Sequence, residues 1–317
     1  MTVEDKKLKK SEKEVKPRKL RVARLKRRKV KKNIKASRSD VASAFKIMRL
    51  NLKHIFKHKK IFIGIAFIYY LASLILVNSI AGTSDYTEIK QMLNEALTGF
   101  VGQISTGITL FGMLLSSGET AASSEAGSVF QTILLIIISL ATIWAFRQTY
   151  AKSKVSLKDS FYKSMTPLIP FILVLLVLGL QIIPATVGTS LYSWAISQGA
   201  ATTFVEKAVW LIIALILIMF TIYMVCSSVF ALYIVTLPDV TPVQALRSAR
   251  ELVRYRRWTV IRKVLFLPIS LVLIGALIMI PILLYVTPVA QWVFIFLTMI
   301  GVVVAHGYIY KLYRELM

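Results

Sequence analysis

The sequence predicts an all-α polytopic membrane protein: a bundle of about six transmembrane helices with amphipathic helices at its cytoplasmic face. Three observations predict it. Of the 317 residues, 56% are hydrophobic and mean hydropathy is +0.67, more than a soluble domain tolerates on its surface. Six apolar runs are long enough to cross a bilayer of about 30 Å as helices. The charge is segregated: residues 1–60 hold 24 Lys and Arg against five acids, out of a formal net charge of +25.

Residues 1–36 read as a disordered basic cytoplasmic tail centred on Lys26-Arg27-Arg28-Lys29-Val30-Lys31-Lys32. Such a segment has too little apolar surface to offset the entropy of ordering. Its expected partner is the anionic inner leaflet, at about 1 kcal/mol per basic residue near the surface. The ribosome or another nucleic acid would attract the same charge, but the tail lacks the aromatics that stack on bases. A cleavable signal would put an apolar core within the first 20 or so residues, which here are polar.

Residues 37–317 read as the membrane domain, with spans near 61–80, 129–146, 168–187, 208–237, 264–286 and 291–310. Each must be a helix, since a lone strand leaves its backbone unsatisfied in lipid. With the N-terminus inside, 38 of the 40 Lys and Arg fall on the cytoplasmic side, and only Lys90 and Lys207 fall outside. That asymmetry sets span parity and orientation in the cytoplasmic (inner) membrane of a bacterium, with both termini cytoplasmic. Residues 81–126 are then extracytoplasmic. Within them, 96–115 are uncharged but interrupted by Gly99, Gly102, Gly107 and Gly112. A single crossing there would turn the Arg-rich loop outward. A helix on the outer surface is preferred to a re-entrant hairpin.

The domain carries a threefold parallel repeat. Ser39-Asp40-Val41-Ala42, Val155-Ser156-Leu157-Lys158-Asp159 and Val240-Thr241-Pro242-Val243 each open an amphipathic segment that leads into an outward span. Ser, Thr and Asp cap helix N-termini, Ser156 with Asp159 fits a capping box, and Pro242 suits a first turn. The units are 39–148, 155–237 and 240–311, and Ile183-Pro184 recurs as Ile280-Pro281. In the third amphipathic segment Val243, Leu246, Ala249, Leu252 and Val253 share a stripe, with Arg247, Arg250, Arg254 and Arg257 off it.

Chemistry-bearing residues are sparse. His306 lies within the last span, where an ionisable group is a functional candidate. Near the cytoplasmic end, though, a neutral imidazole can reach a backbone carbonyl, and the sequence offers no nucleophile motif to go with it. Asn78, Gln131 and Gln181 read as helix–helix hydrogen-bonding residues. Cys226 is the sole cysteine, so no internal disulfide forms. No catalytic, cofactor or metal motif is recognised.

Leu237-Pro238-Asp239, Ala245-Leu246-Arg247-Ser248-Ala249 and Arg254-Tyr255-Arg256-Arg257-Trp258 follow one another, and Val155 to Ser164 forms an earlier helix of the same type. In this pattern residues 144–281 resemble the membrane domain of bacterial glycerophosphodiester phosphodiesterases and its stand-alone relatives. The resemblance implies a six-span fold. It carries no hydrolysis, because the soluble catalytic domain has no counterpart in these residues. The expected function is non-enzymatic handling or sensing of anionic lipid, with headgroups held by Arg247, Arg250, Arg254, Arg256, Arg257 and Trp258. The alternative is a channel or uncoupled transporter through the bundle.

Overall fold

Apolar segments that leave water must satisfy their N–H and C=O groups along their own backbone, and each predicted span is accordingly helical. The computed structural model describes residues 42–78, 125–153 and 155–317, and every regular element among them is a helix. The basic tail at 1–36, Lys90 and the segment at 96–115 lie outside the described residues, with the rest of the expected extracytoplasmic region up to residue 124.

The helices are α1 (Ala44–Lys57), α2 (Lys59–Ser73), α3 (Glu125–Tyr150), α4 (Leu157–Tyr162), α5 (Leu168–Ser197), α6 (Phe204–Ser228), α7 (Ala231–Ile234), α8 (Pro242–Val253), α9 (Arg257–Tyr285) and α10 (Thr287–Leu316). A π turn at Leu74–Asn78 continues α2. The order of a short helix followed by two long ones occurs three times, as α1–α2–α3, α4–α5–α6 and α8–α9–α10. The middle short helix has 6 residues, against 14 and 12 in the others.

Among the described residues, six stretches are long and apolar enough to cross a membrane: Lys59–Leu76, Val129–Tyr150, Leu168–Ser197, Phe204–Ile234, Arg257–Ile282 and Trp292–Leu316. Each overlaps an expected span, and the differences fall at the ends. Helix α5 runs through Pro184 to Ser197, ten residues past the expected boundary, because its threonines satisfy themselves. Thr186 donates to the Ile183 carbonyl at 2.8 Å and Thr189 to that of Ala185 at 3.1 Å. Helix α9 starts at Arg257 rather than 264, since the basic run before the apolar core is already helical. The span expected at 208–237 is divided by a turn at Val229 and Phe230 between α6 and α7.

The core is built on α3 and α10, in whose span windows 44% and 39% of residues are buried, against 22% in α5 and 17% in α6. Helix α10 packs on α1, α2, α3 and α9, while α5 pairs with α6 as an antiparallel hairpin joined to α9 through α6. The burial pattern is that of a membrane protein. Leu176, Ile216, Met219, Leu273 and Leu277 are exposed on the outer helices, whereas Asn51, Thr142, Gln181 and Thr221 are buried. Gln181 Oε1 and Thr221 Oγ1 have no hydrogen-bond partner. The register that sets Gly188 against Ala214 and Leu217 puts these two polar side chains at one level of the α5–α6 hairpin.

Two helix starts differ in chemistry. Helix α8 has a complete capping box: Gln244 N–H donates to Thr241 Oγ1 at 3.4 Å and Thr241 N–H to Gln244 Oε1 at 3.1 Å, with Pro242 in the first turn as expected. The capping box expected at Ser156 is not formed. The Ser156 side chain makes no cap bond, and Asp159 instead pairs with Lys163 one turn later, at 3.1 Å. The packed stripe of α8 is also narrower than expected. Ala245, Ala249 and Val253 are buried against α5, α6 and α7, Val243 is 75% exposed, and Leu246 and Leu252 are half-buried.

Candidate functional site

The ends of α3, α6 and α10 meet the starts of α2, α5 and α9 at one end of the bundle, together with α1, α4 and α8. Among the described residues, this basic end carries a larger and a smaller recess. The larger, about 670 Å³, is enclosed by the end of α3, the start of α5, and the stretch from α7 to the start of α8. Its wall is apolar where Leu140, Trp144 and Pro170 line it, and polar where Arg147, Thr236, Lys163 and the Asp239 carboxylate do.

Arg147 is the centre of the polar end. Its apolar flanking residues, Ala145 and Phe146, are fully buried, which fixes the helix and holds the half-buried guanidinium at the rim. One Nη donates to the Thr236 carbonyl at 2.7 Å and the other to Thr236 Oγ1, so a single residue of the turn after α7 grips both. The Tyr310 and Tyr313 phenols stand beside it. A guanidinium has five N–H donors and cannot lose its charge in water-accessible sites. Thr236 uses two of them, and the Tyr310 phenol oxygen accepts another.

The smaller recess, about 370 Å³, lies between the end of α1 and the end of α3, lined by His54, Lys57, His58, Thr149, Tyr150 and Lys152. The Thr149 hydroxyl donates to the Ala145 carbonyl at 2.8 Å, so His54 Nε2, at 3.0 Å from Thr149 Oγ1, is the donor in that contact. Burial, reinforced by His58, Lys57, Lys311 and Arg314, lowers the His54 pKa from 6.5 to about 4. The imidazole lies flat on the Tyr150 ring, with centroids 4.0 Å apart and planes 1° apart.

His306 belongs to neither recess. Its ring lies between two hydroxyls rather than reaching the expected backbone carbonyl: Tyr233 OH is 3.0 Å from Nδ1 and Ser139 Oγ is 3.0 Å from Nε2. Ser139 donates onward to the Leu135 carbonyl at 2.7 Å. Donor counting then assigns the neutral Nε2–H tautomer, in a relay running from Tyr233 through His306 and Ser139 to Leu135. The relay clamps α7 and α3 to α10 and ends on a carbonyl, leaving both ring nitrogens engaged.

The arginines singled out in the sequence are divided by the fold. Arg247 and Arg250 are exposed on α8, Arg254 is its C-cap, Arg256 is the N-cap of α9, and Arg257 and Trp258 are in the first turn of α9. Arg254 lies 5.7 Å from the Tyr255 ring centroid and Arg257 4.7 Å from that of Tyr223, while Trp258 is 70% exposed. None of them lines the large recess, which α8 reaches through Thr241 and Pro242. Arg147, Thr236, His54 and Lys152 were not singled out by the sequence reading. Arg147 carried one signal, as the first charge after an uninterrupted apolar span.

Searches against family models, curated proteins and solved structures find no match. The resemblance seen in residues 144–281 therefore rests on those residues alone.

Proposed function

We propose that this multi-pass membrane protein binds an anionic lipid in the large recess, with the headgroup on Arg147 and an acyl chain along Leu140, Trp144 and Pro170. The bundle lies in a bacterial inner membrane with the basic end cytoplasmic, and its role is to handle or sense that lipid rather than to transform it. The observation that carries the reading is the polarity of the recess. A half-buried guanidinium, with donors beyond those given to Thr236 and Tyr310, stands with Lys163 at the polar part of a groove whose Leu140, Trp144 and Pro170 wall is apolar; this matches a molecule with a phosphate at one end and hydrocarbon at the other, Asp239 being the one carboxylate among the described lining residues. Arg247, Arg250, Arg254 and Trp258, exposed at the same end, support the reading as a basic and aromatic surface suited to the headgroup layer, with Arg256 and Arg257 half-buried beside them.

The test is native mass spectrometry of the full chain after mild detergent extraction. The parent retains anionic phospholipid. Arg147→Gln lowers retention about tenfold, the loss expected for a charge-assisted hydrogen bond. Replacing the five arginines of α8 and α9 by lysine weakens retention less, because they act at the rim. Unchanged retention in both variants overturns the proposal, and ion conductance by lipid-free protein would favour a channel instead.

A further inference from the structure

The small recess is distinct from the proposed lipid groove and concentrates positive charge. Lys57 lines it from the end of α1, with His54 and His58, and Lys152 from the turn after α3, and no carboxylate is among its described lining residues. Lys311 and Arg314 of α10 stand behind Tyr150, at 5.7 and 4.5 Å from its ring centroid. Glu315 is also close enough to act on Tyr150, but it is one acid among these cations.

The backbone is shaped to keep one of the lysines there. Helix α3 ends in a Schellman turn: Ser153 N–H donates to the Gln148 carbonyl at 3.2 Å and Lys152 N–H to that of Thr149 at 3.2 Å. The residue at this turn's left-handed position is usually glycine. Here it is Lys152, with φ 58°. An L-residue in that region carries a conformational cost, which Asp239 at φ 60° shares, and the two Schellman hydrogen bonds hold Lys152 there.

We propose that this recess binds a compact dianionic oxyanion of the phosphate type, with Lys57 and Lys152 as its charged clamps and His58 as a flanking donor, His54 already giving its Nε2–H to Thr149. Such an anion comes from one of two sources: free phosphate, or the phosphomonoester headgroup of a lipid. Its two negative charges match the paired ammonium groups. Lys supplies a point charge without demanding bidentate geometry, which suits a tetrahedral ion of any orientation. The site is independent of Arg147.

The experiment is equilibrium dialysis of radiolabelled orthophosphate against the detergent-solubilised full chain at constant ionic strength, paired with binding to nanodiscs containing phosphatidic acid or phosphatidylglycerol. The decisive variant is Lys152→Gly, which removes the charge while giving the turn its preferred residue, so that lost binding cannot be ascribed to misfolding. Lys57→Gln is its partner, and Lys158→Gln, exposed on α4 and lining neither recess, is a charge-matched control at the same end of the bundle. Saturable phosphate binding that falls about tenfold in Lys152→Gly and Lys57→Gln but not in the control supports a soluble anion. Preference for phosphatidic acid over phosphatidylglycerol that depends on Lys152, without free-phosphate binding, supports a headgroup. No binding that depends on Lys152 in either format, or an equal loss in the control, overturns the proposal.

Discussion

Two glycines of α10 six residues apart are expected to respond to the same substitution with opposite signs. A Cβ at Gly307 would lie 2.2 Å from Asn51 Oδ1 and 2.4 Å from Phe146 Cζ, well inside the ~3.5 Å of an ordinary contact. Neither neighbour can yield, because Asn51 and Phe146 are both fully buried. Asn51 is moreover tied by its Nδ2 to the Val304 carbonyl at 2.9 Å. Gly307→Ala must therefore push α1 and α3 away from α10, at about 3 kcal/mol, the upper range for overpacking. Gly301 has nothing within 4 Å of its virtual Cβ. Gly301→Ala only removes backbone freedom and should stabilise by roughly 0.5–1 kcal/mol. Cys226, the single cysteine and 3% exposed, provides the assay: a thiol-reactive dye at constant pH reports thermal unfolding in detergent. At about 2–4 °C per kcal/mol, the midpoint should fall by roughly 10 °C in the first variant and rise slightly in the second. Shifts of the same sign in both would refute the close packing of α1, α3 and α10.

Two further predictions concern pH and orientation. The His54 pKa lies near 4 in the folded protein against 6.5 for a free imidazole. Between those values the unfolded chain binds the extra proton, so stability is intact above pH 6.5 and falls as pH drops toward 4. Discounted for the half-open imidazole, the loss is about 1–2 kcal/mol. Tryptophan fluorescence melts should show a shallower acid dependence for His54→Gln, and an unchanged slope would remove His54 as the cause. For orientation, Ser153→Cys at the basic end should react with an impermeant thiol reagent only from the cytoplasm, and Ser197→Cys at the α5–α6 tip only from outside; the reverse would invert the assignment of sides.

The sequence makes the helices legible because membrane crossing imposes one requirement, an apolar run of fixed length, that hydropathy reads directly. The ends are less legible. Thr186 and Thr189 look like span terminators until their hydroxyls are seen bonded to the preceding turn, and the Arg256–Lys263 stretch looks like a loop although α9 has begun. The recesses are hidden for a different reason. Arg147 and Thr236 are 89 positions apart and meet only because α3 and the α7 turn pack together. His54 and Tyr150 stack across a gap that contains two spans. Local spacing favours what repeats along one helix, and so it drew attention to the five clustered arginines. The residues that line the recesses are single representatives from several helices.

The same geometry explains how two recesses can share one helix end without merging. Arg147 and Thr149 are two residues apart on α3, about 200° around a helix of 3.6 residues per turn, so the recesses they line open on opposite faces. Between them stands Tyr310 of α10, beside Arg147 on one side and 5.6 Å from the Tyr150 ring on the other. Phe146 and Tyr313 pack on Tyr310 as well, with centroids at 6.3 and 6.2 Å, so it forms a wall of stacked rings rather than a hinge. Aromatic walls of this kind separate the cations while excluding water between them, which keeps each site's field from being screened by the other's solvent. The large recess has an apolar wall of Leu140, Trp144 and Pro170, whereas the small recess is lined by polar side chains and the Tyr150 ring. The difference in what each admits thus follows from which face of α3 it opens on.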